Sequence, residues 1–151
     1  MQDMVQARTP AHIWIVGALA TLWNAFGCYD YLMTRMRNTD YFASMMPGVD
    51  PNAMLAWVDA FPMYAQIGWA LGVWMGLLGG VLLLLRSRWA VWALGLSLAG
   101  AVVGLGYQIV GAPPVPGGEN AMTTAMPYVI VLAALAFFLY ARAQEKKGVL
   151  R

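Results

Sequence analysis

Four long apolar windows divide the chain, at about residues 13–33, 64–85, 89–110 and 122–141. A helix needs about 20 apolar residues to cross the hydrocarbon core of a bilayer. Because lipid offers the backbone no hydrogen-bond partner, a spanning segment must satisfy its own polar groups, as a helix does. The pattern therefore predicts an all-α membrane protein, with residues 1–151 forming one domain, a bundle of four transmembrane helices.

The segment 38–63, between the first two windows, has a different pattern. Asp50 is a favourable N-cap residue, Pro51 suits the first helical position, and Pro62 ends the run. Between them, apolar residues follow helical spacing: Met54, Leu55, Val58 and Phe61. We predict a short amphipathic helix at about 51–61 that lies on the outer membrane surface.

Basic residues are divided unequally between the two sides that four spans would create. One side carries Arg8, Arg86, Arg88, Arg142, Lys146, Lys147 and Arg151, whereas the other carries only Arg35 and Arg37. Since loops rich in Lys and Arg stay in the cytoplasm, the bias predicts that both termini are cytoplasmic.

The composition agrees with a lipid environment. Hydrophobic residues make up 61% of the 151 positions and charged residues 11%, against about 25% charged in an average soluble domain. The net charge of +2 does not indicate nucleic-acid binding. The single cysteine, Cys28, excludes an internal disulfide. The apolar run that begins at Ile13 continues to Leu32, so we interpret it as a retained span and not as a signal peptide.

Small residues recur on single faces of the second and third windows. They are Gly68, Gly72, Gly76, Gly79 and Gly80 in the second window, and Gly100 and Gly104 in the third. Small residues let helices approach closely in lipid, so we predict that these glycines mediate helix packing. A second hypothesis is that one glycine face binds a partner helix, a lipid or a flat cofactor. The fourth window has no glycine, and we expect it at the edge of the bundle.

Several polar side chains fall at similar depth towards the predicted outer side. Asp30 lies near the outer end of the first window, and an ionisable residue there suggests a functional site; the alternative is interfacial placement with Arg35 or Arg37 as partner. Asn24 lies deeper, where it either bridges to a neighbouring helix or contacts a ligand. We hypothesise that an outward-facing polar pocket is lined by Asn24, Asp30, Gln66, Tyr107 and Gln108.

Patterns for catalysis or metal binding are weak. His12 is the only histidine, and it lies at the opposite end of its window from Asp30, so no Ser/His/Asp set is expected. The methionines near the outer side are either soft ligands for Cu(I) or adaptable apolar packing residues, and the packing interpretation is favoured. We expect no catalytic residue, no metal site and no cofactor.

Two segments carry a resemblance to known proteins. The run from Leu22 to Tyr31 (LWNAFGCYDY) and the segment from Gly72 to Ala90 resemble a group of small bacterial four-span membrane proteins without assigned function. Some members of that group carry an automatic sugar-transporter label. The resemblance implies the bacterial inner membrane and a link to transport, and it implies no binding residues.

Two functions stay open at this level. The first is a non-enzymatic accessory or scaffold subunit that binds a partner membrane protein, a larger complex or lipid through its glycine-rich faces. The second is a transporter of a small solute, such as a sugar, that acts as a homo-oligomer.

Overall fold

The computed structural model describes residues 9–151, which form six α-helices and no strand. The helices are α1 (His12–Arg35), α2 (Thr39–Met45), α3 (Pro51–Asp59), α4 (Met63–Leu84), α5 (Trp89–Val110) and α6 (Ala121–Lys146). The predicted all-helical class is confirmed. Three helices, α4, α5 and α6, are long and apolar enough to cross a membrane. Helix α1 has 24 residues but is not among these three apolar helices.

Helix α1 runs antiparallel to α4 over nearly its whole length. Gly17 lies against Leu84, Thr21 against Gly80, and the Cys28 Sγ donates a hydrogen bond to the Val73 carbonyl oxygen at 3.3 Å. The pairing ends where Arg35 meets Gln66. We call the end with Arg35 and Gln66 the cap end, and the end with the short α4–α5 turn the hairpin end.

Helix α5 packs on a different face of α4, also antiparallel. A β-carbon placed on Gly68 would lie 2.8 Å from the backbone nitrogen of Gly104, and one on Gly72 would lie 3.2 Å from that of Ala101. The Ser97 hydroxyl, which is buried, donates to the Gly72 carbonyl oxygen at 2.6 Å. Helix α4 is therefore the central helix, held between α1 and α5.

Helix α6 lies at one edge and packs mainly on α5, where the Phe138 ring lies over Gly95. At the hairpin end it also meets α1, since His12 Nδ1 shares a hydrogen bond with the Tyr140 hydroxyl. Only 11% of the apolar window of α6 is buried, against 33% for α4. Most of the surface of α6 is thus available to lipid or to another chain.

Two short helices, α2 and α3, follow α1 at the cap end. The helix predicted at about 51–61 is present at Pro51–Asp59, with the Asp50 side chain accepting from the Asn52 N–H at 3.0 Å. It ends two residues early, and Pro62 then precedes α4. Helix α2 was not predicted. It begins after Asn38, whose side chain accepts from the Tyr41 N–H at 2.9 Å.

The last four residues fold back onto the hairpin end. Gly148 adopts a left-handed conformation (φ +70°), which reverses the chain after α6. Val149 and Leu150 are then buried in the same apolar cluster as Leu83 and Ala90. The Arg151 backbone hydrogen-bonds to Arg86 and Arg88. This segment closes the hairpin end and was not predicted from the sequence.

Candidate functional site at the cap end

The five polar residues predicted to share a pocket make separate contacts in the structure. Within residues 9–151, no hydrogen bond joins any two of Asn24, Asp30, Gln66, Tyr107 and Gln108. Whether a ligand brings any of them together stays a prediction.

Asp30 is paired with a tyrosine and not with the arginine that the interfacial alternative expected. The Tyr41 hydroxyl of α2 donates to Asp30 Oδ1 at 2.7 Å. Burial raises the pKa of Tyr41 well above its usual range, and the hydrogen bond to Asp30 and the charge of that carboxylate raise it further. Tyr41 therefore stays protonated and acts as the donor. Its hydrogen bond to Asp30 links α2 to α1.

Both arginines at this end have other partners. Arg37 Nη1 forms an ion pair with Asp59 Oδ2 at 2.7 Å, and both side chains are at least half exposed. Arg35 Nη2 donates to Gln66 Oε1 at 2.9 Å, while Gln66 Nε2 donates to the Phe61 carbonyl oxygen at 2.8 Å. Gln66 is thus held from both sides and fixes the position of the Arg35 guanidinium.

Two aromatic rings lie beside the Arg35 guanidinium. Its central carbon lies 5.2 Å from the centre of the Tyr31 ring and 5.8 Å from that of Trp69, within the range of a cation–π contact. The Tyr31 ring also packs edge-on against Trp69 and Trp74. We call this set of five residues, Tyr31, Arg35, Gln66, Trp69 and Trp74, the Arg35 site.

Asn24 lies in the middle of the packed helices, away from the cap end. Its Nδ2 donates to the Ala20 carbonyl oxygen of its own helix at 2.8 Å. A β-carbon placed on Gly76 would meet the Asn24 amide oxygen and would lie 2.9 Å from the Ser97 hydroxyl oxygen. Asn24 therefore fills the space that Gly76 leaves between α1, α4 and α5.

Tyr107 and Gln108 lie on α5 near the cap end and have different surroundings. The Tyr107 ring packs edge-on against Phe61 and Tyr64 at centroid distances of 5.1 and 6.0 Å. Gln108 instead lines a small cleft of about 100 Å³ between α5, the following loop and the start of α6. Other polar residues of that cleft are Glu119, Thr123, Thr124 and Tyr128.

All seven glycines of the predicted packing faces are buried against helices of the same chain. Gly68, Gly72, Gly100 and Gly104 form the α4–α5 contact, Gly79 lies under Leu94 of α5, Gly80 faces Thr21 of α1, and Gly76 faces both neighbours. The glycine-lined faces of α4 are therefore covered by side chains and backbone of this chain. A partner of the folded chain would meet other residues.

In the range 9–151, no three His, Cys, Asp or Glu side chains are grouped as metal ligands would be. The cap end instead combines a fixed guanidinium, several hydroxyls and exposed aromatic rings, which are groups that bind polar or anionic ligands.

Comparisons with known proteins add no assignment: no family model matches the chain, and searches of curated proteins and of solved structures give no match.

Proposed function

We propose that the chain is a bacterial inner-membrane protein with four spans, α1, α4, α5 and α6, and with both termini in the cytoplasm. The support for α1 as the fourth span is its register with α4. The two helices pair from Gly17 and Leu84 at the hairpin end to Arg35 and Gln66 at the cap end. A helix that lies beside a spanning helix along that length crosses the same thickness of bilayer.

Residues at the two ends of α1 test this topology. In a Cys28→Ser background, Ala11→Cys and Asp40→Cys introduce single thiols at exposed positions before and after α1. In spheroplasts, a membrane-impermeant maleimide should label position 40 and should reach position 11 only after lysis. A three-span arrangement would place both positions on one side, and equal labelling of the two positions in unlysed spheroplasts would contradict the proposal.

We infer further that the protein acts as a non-enzymatic accessory subunit, which binds a partner membrane protein or lipid. The observation that carries this inference is the close packing of α4 against α1 and α5. Backbone contacts such as Gly68 with Gly104 and Gly80 with Thr21 leave no room for a solute where these helices touch. Two clefts, of about 100 and 200 Å³, lie instead at the cap end and at the hairpin end.

Native mass spectrometry of the protein, gently extracted from its own membrane, tests the accessory role. Retention of another subunit or of a specific lipid would support it. A homo-oligomer that carries neither would contradict it and would favour the transporter.

The transporter is the second candidate, and the cleft beside Gln108 favours it, because this cleft places polar side chains at the cap end of α5 and α6. About 100 Å³ suits a very small solute, and passage would require an assembly of several chains. If this candidate holds, Asp30→Asn and Gln108→Leu should lower substrate uptake in vesicles while assembly stays intact. Unchanged uptake in both variants would remove the proposed roles of these two side chains.

A further inference from the structure

The Arg35 guanidinium carries a charge that no carboxylate of the described residues balances. Within residues 9–151, the one ion pair closer than 4 Å joins Arg37 to Asp59. The recorded side-chain hydrogen bond of Arg35, to Gln66, uses one of five N–H donors. Among residues 9–151 the remaining donors have no hydrogen-bond partner, and the side chain is exposed. An arginine fixed in place with donors to spare is suited to bind an oxyanion.

The surroundings of Arg35 indicate what carries that oxyanion. Trp69 and Trp74 lie on α4 five residues apart, which corresponds to about 7.5 Å along the helix axis. Trp74 is 39% exposed, and both rings lie next to Tyr31. The Arg35 site thus has a cationic head at the end of α1 and an aromatic wall that continues from it towards the middle of α4.

That order of groups matches the order of groups in a phospholipid. Tryptophan and tyrosine favour the headgroup level of a bilayer, where their rings contact both acyl chains and polar groups. Arg35 ends α1 and Gln66 is near the start of α4, so both lie at one end of the long helices. If these helices span the membrane, the guanidinium lies at the depth of the lipid phosphates.

We propose that the Arg35 site binds one anionic phospholipid of the leaflet at the cap end, with its phosphate on Arg35 and an acyl chain along Trp69 and Trp74. An anionic lipid is favoured over a zwitterionic one because the site holds a net positive charge and no carboxylate that would pair with a lipid ammonium group. The proposal rests on the proposed function only in requiring that the chain is embedded in a bilayer.

Arg37 provides a matched control two residues away. Arg37 is exposed like Arg35 and carries the same charge. Unlike Arg35, it forms an ion pair with Asp59 at 2.7 Å, and no aromatic ring of residues 9–151 makes a cation–π contact with it. Replacing either arginine by glutamine removes the same formal charge from the same end. Only the Arg35 change should remove a lipid site.

The test is native mass spectrometry of purified protein that is titrated with dioleoyl phosphatidylglycerol or with dioleoyl phosphatidylethanolamine. Arg35→Gln should lower the affinity for the first bound phosphatidylglycerol about tenfold, as expected for the loss of a charged hydrogen bond, whereas Arg37→Gln should change it less than about twofold. Wild-type protein should prefer phosphatidylglycerol. If Arg35→Gln does not assemble, the Arg35→Lys variant is titrated in its place. Its affinity for phosphatidylglycerol should fall about threefold, because lysine lacks the bidentate geometry of arginine.

Three results would overturn the proposal. The first is equal affinity of Arg35→Gln and wild type for phosphatidylglycerol, and the second is an equal loss of affinity in both glutamine variants. The third is displacement of the lipid by glycerol 3-phosphate at matched concentration, because this would mean that a free phosphate is the ligand. Carbonate extraction of the wild-type protein from membranes distinguishes failure of the lipid-site proposal from failure of the proposal that the chain is embedded in a bilayer. Protein that resists extraction is integral whatever the lipid titration gives.

Discussion

Helices α4 and α6 are both long and apolar, yet they are packed in opposite ways. Helix α4 has five glycines, each in close contact with α1 or α5, and a third of its apolar window is buried (33%). Helix α6 has no glycine, packs mainly on α5, and buries 11%. Apolarity therefore predicts which helices enter a membrane, whereas small residues decide which of them form the centre, because only these allow backbones to touch.

The largest expected effect is that of Gly76→Leu. A side chain at Gly76 would displace both Asn24 and Ser97, so α1 and α5 would be forced away from α4 together. We expect a loss of about 3 kcal/mol or more in the free energy of unfolding, the upper range for overpacking. Unfolding in detergent, followed by circular dichroism, measures this loss.

The control for this change is Ala136→Leu, which adds a similar volume to an exposed position of α6. It should unfold like the wild type. Equal destabilisation by both changes would show that added volume, and not the α4 contact, is responsible.

A single methyl group gives a finer comparison. A β-carbon on Gly80 would lie 2.7 Å from the backbone nitrogen of Thr21, whereas one on Gly106 of α5 has open space within 4 Å. We expect Gly80→Ala to cost about 1–3 kcal/mol by overpacking. Gly106→Ala should be neutral or stabilising by up to about 1 kcal/mol, the gain in helix propensity. If the two variants have the same stability, the α1–α4 contact is not as close as described.

A smaller effect is expected at the cap. Tyr41→Phe removes the hydrogen bond to Asp30 and should cost about 1 kcal/mol, mainly as faster amide exchange in α2. Tyr29→Phe is the matched control, since its ring packs on Tyr41 but its hydroxyl makes no hydrogen bond among the described residues. Equal exchange rates of α2 in Tyr41→Phe and in wild type would mean that this hydrogen bond does not hold the cap.

The smallest effect is a pH dependence of the same pair. The pKa of Tyr41 is higher in the folded than in the unfolded chain, so folding favours the protonated hydroxyl. Its contribution is complete below the unfolded pKa of about 10 and is lost as the pH rises from there towards the folded value. The stability difference between wild type and Tyr41→Phe should therefore shrink from pH 9 to pH 11. A difference that grows over this range would contradict the assignment.

Much of the helical framework could be predicted from the sequence, because apolar length and glycine spacing are local signals. The long helices and α3 were visible in this way, and Asp50 and Pro51 marked the start of α3. Helix α2 was missed, although Asn38 before Thr39 and Asp40 is a recognisable N-terminal signal. Seven residues carry too little periodicity to identify a helix unless the cap is weighed first.

The side-chain partners could not be predicted in the same way. Depth along a helix placed Asp30 and Gln66 at similar levels, but depth does not state direction around the helix axis. Asp30 faces Tyr41, which belongs to the unpredicted α2, and Gln66 faces Arg35. The aromatic partners of Arg35 were likewise missed, although Tyr31 four residues earlier on α1 was a usable signal.

The central structural claim is that the glycine-lined helix α4 pairs with α1 of its own chain. In a Cys28→Ser background, Gly27→Cys and Val73→Cys place two thiols opposite each other, because a β-carbon on Gly27 would lie 3.8 Å from the Val73 β-carbon, a separation that suits a disulfide. After mild oxidation of native membranes, we expect a disulfide within one chain, seen as monomeric protein whose intact mass has fallen by the mass of two hydrogen atoms, which the oxidant removes. Disulfide-linked dimers in place of this product would show that α1 and α4 pair between chains and would contradict the account.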